Sequence, residues 1–165
     1  MNNEKIDIPK CHVQFKRWTG QPIQNTFGNK PLLDFNGKPM FAELLIMNLF
    51  LQNSWNSRWV ETYGKSKLKP IYLNNWIDDK YKNQIDKPIE NLYIQTLLNK
   101  IAEKNGSNFG GCWDVLAWKN EYLIFVESKR SKKDFLQSTQ NKWLKAGFEV
   151  GLKRENFLMV EWKLK

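Results

Sequence analysis

Histidine and cysteine are nearly missing from this chain: His12 is the single histidine, and Cys11 and Cys112 are the two cysteines. The cysteines stand far apart with no CxxC spacing. A structural zinc site takes about four such ligands, so the count excludes one. Ser-His-Asp catalysis would have only His12 to serve as base. No apolar run approaches the roughly 18 residues of a membrane-spanning helix, and residues 1–10 are polar and charged, without the apolar region of a secretory leader. Internal repeats and low-complexity tracts are missing too. The expectation is a soluble, intracellular (cytoplasmic) protein with no membrane partner.

What the chain does have is basic charge and aromatic bulk. Its 165 residues carry a net charge of +9, with 26 Lys and Arg against 17 Asp and Glu. That length suits one domain, since single cores usually hold about 100–200 residues. A hydrophobic share of 41% supplies a real core, and the eight tryptophans and ten phenylalanines belong mostly inside it. An excess of lysine and arginine favours a polyanionic partner without separating DNA, RNA and an acidic membrane surface.

Along the chain, residues 1–38 are punctuated by glycine and proline and read as an N-terminal arm or cover, with a weak strand at 12–15. Residues 39–165 read as the α/β domain. A helix is expected over 40–52, with Pro39 in its first turn and apolar residues almost all round. Glu43 is the one charge within it, a carboxylate aimed into protein. Such a group needs a cation or donors nearby; it is either paired for structure or part of a metal site. Residues 58–63 have strand chemistry, and 71–73 are a short strand or turn. Lys65, Lys67 and Lys69 between them are a solvated face or a phosphate-contacting rim. Further helices are expected over 88–104 and 132–153, and a last strand over 157–162. Gln140 falls on the apolar face of the third helix, where an amide is out of place. The plan is α/β, a single domain with a central mixed β-sheet flanked by helices.

The informative stretch is a hairpin, 113–118 and 121–130, turning at Lys119-Asn120. That turn pairs Trp118 with Glu121 and so sets Asp114 opposite Phe125. Side chains alternate with period two, so Asp114 then shares a face with Glu127 and Lys129, a diagonal roughly 7–8 Å from the glutamate. Two carboxylates so placed can share a divalent ion; a loop of three residues would flip the parity and part them. The second strand is apolar on both faces through Val126, as in a strand covered by helices on each side, and then runs into Glu-Ser-Lys-Arg.

Asp114, the apolar strand, Glu127-Ser128-Lys129 and the downstream Gln140 resemble the PD-(D/E)xK nuclease superfamily over residues 107–162. The Gly-Gly-x-x-Asp approach and the Gln140–Leu144 segment are most similar to its virus-type replication-repair (VRR-NUC) branch. Trp113 stands where the motif usually has proline. The resemblance implies a restriction-endonuclease-like fold and Mg²⁺-dependent hydrolysis of nucleic acid, most readily DNA, with Mn²⁺ as a substitute. Asp114, Glu127 and the Ser128 main-chain carbonyl would hold the ion, with Glu43 as a further ligand, while Lys129 and Gln140 act on the water and phosphate. Arg130, Lys132 and Lys133 are either phosphate contacts or a solvated helix start. Relatives that cut as dimers add a homodimer to the expectations. The rival reading is a module of the same fold that holds nucleic acid or a partner without cleaving.

Overall fold

An apolar strand with two buried faces needs cover on both, and the arrangement of the chain follows from supplying it. The computed structural model describes residues 6–165. In chain order these form β1 (Lys10–Phe15), β2 (Leu33–Phe35), β3 (Lys38–Met40), α1 (Ala42–Gln52), β4 (Asn56–Glu61), β5 (Ile71–Leu73), α2 (Leu92–Lys104), β6 (Val115–Lys119), β7 (Tyr122–Arg130), α3 (Ser138–Glu149) and β8 (Phe157–Leu164). Six strands make one mixed sheet in the order β1-β8-β7-β6-β4-β5, and β2 and β3 pair apart from it. β1, β8 and β7 run parallel; β7, β6, β4 and β5 alternate in direction.

Alternation along β6 and β7 sends Val115 and Val126 to one face and Leu116 and Phe125 to the other. The first face buries Leu44 and Met47 of α1 together with Trp59 and Trp162. The opposite face buries Leu98 of α2, Trp143 of α3, Trp113 and Phe157. The single mixed α/β domain expected from the sequence is therefore present, with α1 on one side of the sheet and α2 and α3 on the other. Among the described residues no helix is long and apolar enough to cross a membrane.

The boundaries differ where local chemistry overrides periodicity. α1 begins at Ala42, not residue 40: Pro39 and Met40 belong to β3, joined to β2 by Asn36 and Gly37 at φ of 53° and 78°. α2 begins at Leu92, where the Asn91 side chain accepts from the Ile94 N–H (3.1 Å), so Pro88 lies outside it. α3 spans Ser138–Glu149 and not 132–153. Lys132 has φ 62°, and the Asp134 carboxylate accepts from the Arg130 N–H (2.9 Å), which makes this stretch a turn instead of a helix start. β4 lies two residues earlier than expected and β8 runs two residues further. Within the expected arm at 1–38, residues 10–15 form the edge strand β1, and residues 1–5 fall outside the described residues.

Phe157 locks the α2/α3 face: it is fully buried, with its ring 5.1 Å from Trp113, 5.5 Å from Phe125 and 5.5 Å from Phe148. Phe157→Ala is expected to cost about 3–5 kcal/mol of unfolding free energy, read from urea denaturation.

Candidate active site

The hairpin register positions the site. β6 and β7 close with Lys119 opposite Tyr122, so the loop is Asn120-Glu121, with Asn120 at φ 54°. The pairing is two residues off the expected register. Val115 opposes Val126, and one step further Asp114 opposes Glu127, not Phe125. The loop still has two residues, so parity holds and Asp114, Glu127 and Lys129 lie on one face.

Asp114 sits where β4 ends, β6 begins and β7 runs on beyond its pairing with β6. Its main-chain carbonyl accepts from the Val60 N–H (2.8 Å), and its Oδ2 accepts from the Ser128 N–H (2.9 Å). In an extended strand one residue's N–H and C=O point the same way. The Ser128 carbonyl therefore also turns toward the gap beyond the start of β6, beside Asp114.

Glu127 is 1% exposed and Lys129 7%. Lys129 Nζ lies 2.8 Å from Glu127 Oε1 and donates to Gln140 Oε1 at 3.0 Å, while Gln140 Nε2 donates to Glu127 Oε1 at 2.6 Å. Gln140 Oε1 also accepts from the Gln137 N–H (2.8 Å) at the start of α3. The amide that looked misplaced on an apolar face thus ties the helix end to the acid–lysine pair. Gly111 lets α3 come this close. At φ +83°, a Cβ there would lie 2.1 Å from the Thr139 carbonyl oxygen, and Trp113 Nε1 donates to the Gln140 carbonyl (3.2 Å).

The α1 face brings more charge. Glu43, 7% exposed, is held by Lys30 with Nζ 2.5 Å from Oε1, which supplies the cation its burial requires. Glu61 ends β4 beside Asp114. Neither Lys30 nor Glu61 stood out in the sequence. The only hint for Glu61 is a charged residue within the strand expected over 58–63; Lys30, in a glycine-punctuated loop, gives none. A cleft of about 800 Å³ is lined by Glu61, Asp114, Gln140, Lys65, Lys67 and Lys142. A second, of about 300 Å³, is lined by Lys30, Glu43, Ser128, Arg130 and Lys133. Arg130 lies over the Trp162 ring (5.7 Å), and Lys132 stands exposed in the turn, outside the lining of either cleft.

Electrostatically the acids are in conflict. Burial, then the charge of Glu43, raises Asp114 to about 6. Burial, then the charge of Asp114, raises Glu61 to about 7 and lifts Glu127 well above the usual carboxylate range. Four carboxylates (Glu43, Glu61, Asp114, Glu127) face two ammonium groups (Lys30, Lys129), an excess of two negative charges when all are ionised. Among the described residues Glu127 Oε2 is the one buried side-chain oxygen without a hydrogen-bond partner. No group of three or more His, Cys, Asp and Glu side chains among these residues forms a ready-made metal cage. The donors fit a hard cation held by few protein oxygens and retaining its water, as Mg²⁺ does.

An ionisable carboxyl raised on folding contributes stability below its unfolded pKa of about 3.9, and that contribution is lost as pH rises through the folded value. Asp114→Asn keeps an oxygen for the Ser128 N–H but cannot ionise. In EDTA at pH 8 the variant is expected to melt a few degrees above the wild type, with the difference gone by pH 4; thermal denaturation across that range is the check.

No family model, no curated protein and no solved structure matches the chain.

Proposed function

We propose that this chain is a Mg²⁺-dependent nuclease that hydrolyses phosphodiester bonds in DNA, as the PD-(D/E)xK resemblance implies. The observation that carries the reading is that Asp114 and Gln140 line a lysine-rimmed cleft, with the buried Glu127–Lys129 pair and its unpartnered carboxylate oxygen tied to them through Gln140 and the Ser128 N–H. The mixed sheet with helices on both faces is in keeping with the restriction-endonuclease-like architecture that the resemblance suggests.

In this reading Asp114, Glu127 and the Ser128 carbonyl would hold the ion, which would supply Lewis-acid polarisation of the scissile phosphate and a lowered pKa for water beside it. Lys129, fixed by Glu127 and Gln140, presents its ammonium to the phosphate and stabilises the negative charge that develops as water adds and the P–O bond breaks. Gln140 keeps that ammonium and the Glu127 carboxylate in register. Lys65, Lys67 and Lys142 on the cleft wall meet neighbouring backbone phosphates and supply affinity that is independent of sequence and falls with salt. Arg130 and Lys133 do the same from the second cleft.

Purified protein is to be incubated with supercoiled and with branched DNA in Mg²⁺, Mn²⁺ or EDTA. Metal-dependent nicking is expected, with Lys129→Ala slower by about 10²–10³-fold, the usual effect of removing one transition-state donor. Lys67→Ala should leave the nicking rate at saturating DNA unchanged and flatten the salt dependence of binding by about one unit of slope. Equal nicking by wild type and Lys129→Ala would contradict the assignment.

A further inference from the structure

Lys30 reaches the site on a loop shaped to deliver it. Phe27, Gly28 and Asn29 all have positive φ (42°, 73° and 59°), and the Lys30 N–H donates to the Thr26 carbonyl (3.0 Å). Two non-glycine residues in the left-handed region persist only where their surroundings hold them. Here the anchor is Phe27, stacked on Tyr81 at 5.0 Å and packed against Trp76 at 5.3 Å. The Lys30 ammonium then lies on Glu43 and 5.9 Å from the centre of the Trp59 ring. Burial disfavours its charge, yet Glu43, Asp114 and Glu61 outweigh that and hold it firmly protonated.

The acids around Asp114 fall on two sides. Glu127 lies on the α2/α3 face, and Glu43 on the α1 face; Glu61 closes β4 at the same end of the sheet. Carboxylates so distributed could gather two divalent ions. We infer that Lys30 is an internal cation standing where a second ion would otherwise bind, so that the site takes one divalent ion, on Asp114 and Glu127. This rests on the metal-binding reading above. The charge balance agrees: with every carboxyl ionised and Lys30 in place the excess is two negative charges, which one ion cancels, and without Lys30 it is three. An ion arriving beside Glu43 would meet a fixed positive charge and a carboxylate oxygen already taken, so Lys30 acts as a positioning residue that sets stoichiometry.

Mn²⁺ is to be titrated into the full chain by calorimetry, with bound ions counted by electron paramagnetic resonance. One ion per wild-type chain is expected. Lys30→Gln and Lys30→Met should each bind two, with the spectrum of a spin-coupled pair, and Lys30→Gln combined with Glu43→Gln should return to one. Two ions in the wild type, or one in both folded single variants, would overturn the inference and leave the metal site standing. A wild type that binds none would remove both. A measurement that needs no variant is the ¹⁵N signal of the Lys30 ammonium at Mg²⁺ saturation: a retained, hydrogen-bonded signal supports the internal cation, and release to solvent overturns it.

Discussion

Two carboxylates that oppose each other across a pair of strands repel, and burying them makes the repulsion harder to screen. That conflict between Asp114 and Glu127 is what the surrounding structure is arranged to contain. Lys129 and Gln140 take up one oxygen of Glu127, the Ser128 N–H takes one oxygen of Asp114, and Lys30 pairs with Glu43. What remains, once every carboxyl is ionised, is an excess of negative charge, together with one buried oxygen that has no hydrogen-bond partner. A chain selected for stability alone would have no use for such a cluster, whereas strain and unmet charge of this kind are common where chemistry takes place.

Holding the cluster falls to parts of the chain distant in sequence. Core packing of Trp113, Phe125, Trp143 and Phe157 fixes α3 against β7, and the absence of a side chain at Gly111 lets the Asp114 loop lie against the first turn of that helix. Because the polar bridge through Gln140 starts on α3 and ends on β7, a shift of the helix would part the amide from both Lys129 and Glu127. The opposite face is fixed by α1, Trp59 and the aromatic nest around Phe27. The open side is left to lysines on short, braced turns: the Lys67 carbonyl accepts from the Phe109 N–H, and the buried Ser66 hydroxyl meets Tyr81 OH at 3.0 Å.

The parts legible in the sequence were those governed by local periodicity. Alternation in the 113–130 stretch put Asp114, Glu127 and Lys129 on one face, and this survived a register error because shifting a hairpin by two residues leaves every side chain on its own face. The odd placement of Gln140 and of Glu43 also pointed to groups with polar partners. The illegible parts depend on tertiary contact. Lys30 meets Glu43 only because a left-handed turn carries it there, and Glu61 meets Asp114 only because β4 pairs with β6. Helix starts differ from the periodicity where a cap or a positive φ decides, at Asn91 and Lys132, and where a β-hairpin takes up Pro39 and Met40 ahead of α1. The parallel pairing of β1 with β8 joins opposite ends of the chain, and no local pattern announces it.

The central claim is that a divalent ion relieves the conflict between Asp114 and Glu127. Anomalous scattering from a crystal soaked in Mn²⁺ tests it most directly. The expected result is a peak within coordination distance of both carboxylates and of the Ser128 carbonyl; a peak elsewhere on the surface, or none at saturating Mn²⁺, would contradict it.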